Sequence, residues 1–345
     1  MNPNVHDGRL KIMEVCGTHT SSIFRSGIRS LIPENIALVS GPGCPACVTP
    51  PSVIDALIEI ARAAEVLSFG DMFRVPGSSS SLAQAKAEGC NVRLIYSPLE
   101  ALALAKEKPD TRYVVAAVGF ETTAPVYGAL LEALARENIQ NVALYTALKT
   151  IPEALDYICA REEIDAFICP GHVSAIIGCE PYRALAQKYR KPFVIAGFEA
   201  EHILAALNEI VRQKRTGHHA VTNLYTSVVR EKGQDKAMQL ISKYFEKTDS
   251  FWRGIGEIPD SGYRLKKEYG CFSANIHGVA EKGDLPEGCC CAEVLLGRLL
   301  PKGCSLFGKL CTPQNPVGAC MASSEGTCRI YYTAGDTHEN HIKPR

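Results

Sequence analysis

Seven of the chain's fifteen cysteines fall between Cys289 and Cys328: Cys289, Cys290, Cys291, Cys304, Cys311, Cys320 and Cys328. Thiols at that density are ligands for a soft metal centre, and their spacing narrows the kind of centre. Zinc sites are built from two close pairs, each separated by two to four residues. The series Cys291-x12-Cys304-x6-Cys311-x16-Cys328, with Cys320 inside its last gap, has no such arrangement. Wide spacing suits an iron–sulfur cube, whose four irons each take one thiolate from a separate loop.

A second group is Gly41-Pro42-Gly43-Cys44-Pro45-Ala46-Cys47. A Cys-x-x-Cys turn brings two sulfurs close enough for a short-loop disulfide, and the neighbouring thiol lowers a thiolate pKa. The leading reading is a redox dithiol; half of a zinc site is the alternative, without a second close pair to complete it. A third group, Cys16-Gly17-Thr18-His19-Thr20, sets a thiolate and an imidazole three residues apart. Such a pair can share one metal or one proton, and a soft thiolate favours iron, copper or zinc over magnesium. A purely structural Cys/His pair is the plainer reading. Two further loops gather polar groups: Glu121, Thr122 and Thr123 in Gly119–Pro125, and His172 with Ser174 in Pro170–Ser174. Helix capping explains the threonines but not Glu121, and His172 reads equally well as a satisfied core histidine. Neither loop matches a nucleotide-binding fingerprint. Gly77–Ser81 is either an anion-wrapping helix start or a solvated serine loop.

These groups need elements to hold them. Short apolar runs at 36–40, 65–69, 92–96, 113–118, 142–145, 166–169 and 193–196 alternate with helical patterns. Continuous apolar runs of this length are what parallel strands buried on both faces require. Ser97-Pro98-Leu99-Glu100 and Thr150-Ile151-Pro152-Glu153 have the spacing of capping boxes. The pattern predicts an α/β chain of two related parallel-sheet α/β domains, residues 1–108 and 109–215, with one large sheet as the alternative. A smaller, irregular helical domain at 216–345 would carry the cysteine cluster. The motif loops follow strands, so they belong at the carboxyl ends of parallel sheets, where open α/β folds place ligands.

Lysine plus arginine and aspartate plus glutamate number 37 each, so bulk charge points to neither nucleic acid nor an anionic membrane. No run approaches a membrane span, and Met1–Lys11 has no signal-peptide character. The expected location is cytoplasmic. Reducing surroundings disfavour a structural disulfide framework, which leaves metal and redox chemistry for the clustered cysteines. The isolated Cys90, Cys159, Cys169, Cys179 and Cys271 are expected to be small buried hydrophobes.

Taken in order, Cys-Gly-Thr-His-Thr at 16–20, Gly-Pro-Gly-Cys-Pro-Ala-Cys at 41–47 and Gly-Phe-Glu-Thr-Thr-Ala-Pro at 119–125 form a recognisable series. Pro-Gly-His-Val-Ser at 170–174, Trp-Arg-Gly-Ile-Gly at 252–256 and the cysteine motifs of 311–328 extend it. The set resembles the HypD family, iron–sulfur maturation proteins of [NiFe]-hydrogenases, over nearly the whole chain. The resemblance implies a scaffold for the Fe(CN)2CO group, working with a HypC-type small chaperone and receiving cyanide from a HypE-type donor supplied by HypF. It implies that Cys16 holds the iron together with a chaperone thiolate, that His19 lies close by, and that Cys44 and Cys47 are the redox dithiol. It further implies a [4Fe–4S] cluster on Cys291, Cys304, Cys311 and Cys328. Glu121, Thr122, Thr123, His172 and Ser174 would then surround the bound cyanides. Among the adjacent cysteines the x12 spacing selects Cys291 over Cys289 and Cys290, and Cys320 is the rival for Cys311 or Cys328. Ala46 replaces a more usual valine, and Cys271-Phe272-Ser273-Ala274 replaces a more usual Phe-Asp-Ala. Two other classes compete: a cluster-dependent thiol–disulfide reductase using Cys44 and Cys47, and a structural zinc protein.

Overall fold

The computed structural model describes residues 9–274 and 285–335. Eleven strands form two sheets: β1 (Leu10–Glu14), β2 (Ile36–Ser40), β3 (Glu65–Ser68), β4 (Val92–Leu94), β5 (Tyr113–Gly119), β6 (Val142–Lys149), β7 (Ala166–Cys169), β8 (Phe193–Ile195), β9 (Val221–Asn223), β10 (Phe245–Trp252) and β11 (Gly256–Leu265). The first sheet runs β2-β1-β7-β8-β9 and is parallel throughout. The second runs β10-β11-β6-β5-β3-β4; its β6-β5-β3-β4 part is parallel, and the β10–β11 hairpin joins β6 antiparallel.

All seven expected strands are present, and β5 and β6 are buried along their whole length, as their apolar runs require. Their assignment to contiguous domains is corrected. The first sheet takes β1 and β2 from before residue 108 and β7 to β9 from after it, while the second takes β3 and β4 from before and the rest from after. The segment from 216 onward adds β9, β10 and β11 to these sheets rather than standing apart. Local βα texture is identical in both sheets, so sequence order does not reveal which sheet a strand joins. One apolar core runs between them, with Met13 and Val39 from the first sheet and Val66, Val114 and Val118 from the second.

Local expectations fared unevenly. Glu100 Oε1 accepts the Ser97 amide at 2.8 Å, and Ser97 Oγ accepts the Leu99 amide at 3.3 Å. Thr150 makes no cap: the Ile151 amide donates instead to Glu121 Oε1 at 2.9 Å, and Glu153 pairs with Lys247. In the serine loop, the Ser78 amide donates to Asp55 Oδ1 and Ser81 caps the helix Leu82–Ala87, so a carboxylate of the chain already fills that loop. Cys159, Cys169 and Cys179 are buried, whereas Cys90 is half-buried in the turn before β4 and Cys271 is exposed in a short surface helical turn. No helix among the described residues is long and apolar enough to cross a membrane.

Candidate functional site

The carboxyl edge of the first sheet collects three of the motifs. β1 ends at Glu14 and leads into Cys16, β2 ends at Ser40 and leads into Gly41–Cys47, and β7 ends at Cys169 and leads into Pro170–Ser174. From β1 the chain first fills one flank with β2 and later returns to fill the other with β7. Cys16 therefore sits where strand order reverses, the usual ligand crevice of an open α/β sheet.

Cys16 caps the helix Gly17–Arg25 through its backbone, and the Thr18 and His19 amides act on its sulfur electrostatically without a capping hydrogen bond. Helix amides aimed at a sulfur favour its anionic form, but burial dominates here and pushes the thiol up to about 11. A thiol in that state becomes a thiolate when a metal displaces its proton. Below it, Glu14 accepts the Cys16 amide at 3.2 Å and the Thr20 hydroxyl, and burial raises its carboxyl to about 7. His19 is wholly buried; its Nε2 donates to Gly197 O at 3.0 Å and its Nδ1 has no partner among the described residues. Burial lowers its pKa to about 4, so the ring is neutral at pH 7 and offers a bare Nδ1 lone pair. Phe198 lies between His19 and His172, with ring centroids 4.7 and 4.3 Å away.

Cys44 and Cys47 form a disulfide at the start of the short helix Pro45–Val48, where Pro45 takes a first-turn position that needs no amide donor. The loop before it presses on Cys16: a Cβ built on Gly43 would lie 2.5 Å from the Cys16 nitrogen. Only glycine permits that approach. On its other side, Cys44 Sγ is 3.4 Å from Ser323 Oγ, immediately after the helix Ala319–Ala322 that contains Cys320. The disulfide thus touches both the Cys16 loop and the cysteine-rich segment, and Gly17 meets that segment directly at Glu325.

In that segment Cys291, Cys304, Cys311 and Cys328 face one small cavity of about 10 Å³, together with Cys289 and Cys290. Leu306, Phe307 and Met321 close it against water. Cys289 Sγ donates to Cys291 Sγ at 3.4 Å. A Cβ at Gly318 would fall 2.6 Å from Cys291 Sγ and 2.8 Å from Cys289 Sγ, so glycine makes room for both sulfurs. Burial raises the Cys311 thiol, with the Gly318 and Val317 amides opposing it, whereas the neighbouring Cys291 and Cys320 lower the Cys328 thiol. Cys320 is fully buried against Cys291 and Cys328 but is not among the residues lining the cavity. Among the described residues no three His, Cys, Asp or Glu side chains converge as ligands of a single ion. A cubane makes no such demand, because each thiolate binds its own iron. The donor set fits one: sulfurs from separate loops, amides aimed at sulfur and an apolar cover. The closely drawn thiols would have to part to admit it.

A family model described as HypD, Hydrogenase formation hypA family, matches residues 2–335. The chain belongs to the HypD family. It is 44% identical over 328 residues to a putative hydrogenase expression/formation protein of Methanocaldococcus jannaschii, covering 94% of this chain and 92% of that one. Identity to the hydrogenase maturation factor HypD of Rhodobacter capsulatus is 43% over 335 residues, covering 94% and 89%. With the Escherichia coli (strain K12) factor of the same name it is 42% over 331 residues, covering 94% and 88%.

Not every motif of this HypD-family chain reaches the crevice by contact. Ser174 Oγ donates to Pro170 O at 2.8 Å and Thr123 Oγ1 to Phe120 O, both within their own loops. Thr122 is half-buried beside them. Glu121 lies at the end of β5 in the second sheet, where it caps the helix Ile151–Arg161. Its Oε2 has no partner among the described residues, and burial raises the carboxyl to about 8. A carboxyl raised on folding contributes stability that is fully present below the unfolded value near 4.5 and is lost as pH climbs toward 8. At ~1.4 kcal/mol per unit this is an effect of roughly 5 kcal/mol. Glu121→Gln keeps a neutral acceptor for Ile151 and is expected to flatten much of the fall in urea midpoint between pH 5 and 8. An equally steep fall in the variant would show that Glu121 is ionised in the folded protein.

Sequence reasoning missed Glu14, Gly197-Phe198 and Ser323. Glu14 carried a signal, a carboxylate inside an otherwise apolar strand end next to a motif. Ser323 had none, because its importance is purely spatial.

Proposed function

We propose that this HypD-family chain is a hydrogenase maturation factor that serves as the scaffold on which the Fe(CN)2CO group is assembled. The observation that supports it best is the chain of neighbours from Cys16, through Gly43 and the Cys44–Cys47 disulfide, to Ser323 and the cysteine-rich segment. The iron group is cargo. Cys16 supplies one thiolate to it and a HypC-type chaperone supplies another, while a HypE-type partner delivers cyanide. The bare Nδ1 of His19 faces the same buried region and accepts a hydrogen bond or a proton there. Phe198 and His172 screen the crevice from water.

Cys304, Cys311 and Cys328 hold three corners of a [4Fe–4S] cluster, and Cys291 holds the fourth, with Cys289 as the adjacent alternative only 3.4 Å away. When bound, the cluster supplies single electrons drawn from an external low-potential one-electron donor protein. Opening the Cys44–Cys47 disulfide takes two electrons and two protons and yields two thiols, so the turn accumulates what arrives singly. The same disulfide supports a second reading, a cluster-dependent thiol–disulfide reductase, for which Cys16 is dispensable.

Anaerobic purification with iron, sulfide and zinc analysis tests the cluster. A brown protein with about four irons and four sulfides is expected; a colourless zinc protein would overturn the reading. Separate Cys289→Ser and Cys291→Ser variants identify the fourth corner. Cys291→Ser is expected to lose most of the iron and Cys289→Ser to keep it, and the reverse result would transfer the role to Cys289.

A further inference from the structure

The motif Trp252-Arg253-Gly254-Ile255-Gly256 has no part in the chemistry above, yet it occupies the tip of the β10–β11 hairpin. That tip is wedged between the two redox elements. The Arg253 amide donates to Val48 O at 2.9 Å, its Nε to Thr49 O at 2.6 Å and its Nη2 to Pro76 O at 2.6 Å. Val48 ends the helix that begins at the Cys44–Cys47 disulfide, so two donors hold that helix and its exit residue while the third ties it to the loop at Pro76. On the opposite side Gly254, with φ +70°, packs so closely that a Cβ would lie 2.7 Å from Leu285 and 2.9 Å from Ala292, the residue after Cys291.

Arg253 is 1% exposed, and its Nη1 has no hydrogen-bond partner among the described residues. A buried guanidinium with an unused donor is costly unless something anionic answers it. Its charge acts most strongly on Cys291, then on Cys320 and Cys289, with Asp55 last. Burial lowers its pKa only to about 10, which leaves it cationic at neutral pH. Lysine is no equal substitute, because one ammonium cannot span two carbonyls and also face the sulfurs as a planar fork does.

We propose that Arg253 is a positioning and potential-setting residue: it clamps the Cys44–Cys47 helix to the cysteine-rich segment and directs Nη1–H and a buried positive charge at the thiolates there. This rests on the cluster reading given above. Iron–sulfur potentials follow net charge and hydrogen bonds to sulfur, so the cation favours the reduced cluster, while the clamp keeps the disulfide within electron-transfer reach.

The test uses anaerobically isolated wild-type protein, Arg253→Gln and Arg253→Lys, with potentiometric titration of the visible chromophore. Removing the charge in Arg253→Gln is expected to lower the reduction equilibrium constant at least tenfold, about 59 mV for one electron. Arg253→Lys keeps the charge and is expected to stay within threefold of wild type. Its looser hold on Thr49 and Pro76 should slow reduction of the Cys44–Cys47 disulfide by the reduced chromophore at least tenfold, followed by mass-tagging of free thiols. A wild-type potential in Arg253→Gln, or an equal shift in both variants, overturns the charge assignment. An unchanged rate in Arg253→Lys overturns the clamp, and this arm stands even where the glutamine variant does not fold. A wild-type protein without a chromophore overturns the cluster reading and this inference together, whereas a chromophore indifferent to Arg253 overturns the inference alone.

Discussion

Replacing Cys16 with alanine is expected to abolish the infrared bands of iron-bound cyanide and carbon monoxide in the anaerobically isolated protein with its small partner. Reduction of the Cys44–Cys47 disulfide should persist. The first half follows from position. Cys16 lies at the strand-order reversal, at the start of the helix Gly17–Arg25, and follows Glu14, whose carboxyl braces its backbone. No other described cysteine follows β1 or occupies that helix start. The second half follows from connectivity: the disulfide meets the cysteine-rich segment through Cys44 and Ser323, a contact in which the Cys16 side chain takes no part. Stability should change little, because Cys16 packs as a small side chain at a helix cap whose backbone alanine preserves. Retained iron bands with intact disulfide turnover would overturn the scaffold reading and leave the reductase one.

The scaffold of this site was unevenly legible from sequence, and the reasons are physical. Strands buried on both faces, such as β5 and β7, show themselves as apolar runs, because each residue meets a helix or the other sheet. β10 and β11 alternate buried and exposed positions, and β11 contains Pro259, so neither forms a continuous run. β1 carries Lys11 and Glu14 within its five residues, and these charges break the apolar run that would have shown it. The site's residue types were legible because cysteines and histidines stand out. Their grouping was not. Cys44 meets Ser323 across 279 residues of chain, and nothing local in either segment encodes the other. Glu121 adds a contact its motif did not announce: its Oε1 caps the helix Ile151–Arg161 that follows β6.

Exchanging either Cys44 or Cys47 for serine is expected to stop cyanide and carbon monoxide loading while leaving the brown chromophore intact. Two costs must be separated. The disulfide closes a loop of only a few residues, so on chain entropy its loss costs roughly 2 kcal/mol. A domain stable by about 5–15 kcal/mol survives that, and serine at position 44 retains an acceptor for the Cys47 amide. The cysteine-rich segment shares no sulfur with this turn, since Cys44 and Cys47 are bonded to each other and the cavity is lined by cysteines from 289 onward. Iron and sulfide content should therefore match the wild type. The chemistry fails for another reason: with one sulfur the turn cannot take up two electrons and two protons, and electrons reaching it singly have no closed-shell product to form. Serine variants that still load cyanide would reduce the turn to a structural staple. Variants that lose the chromophore as well would place Cys44 or Cys47 among the cluster's own ligands.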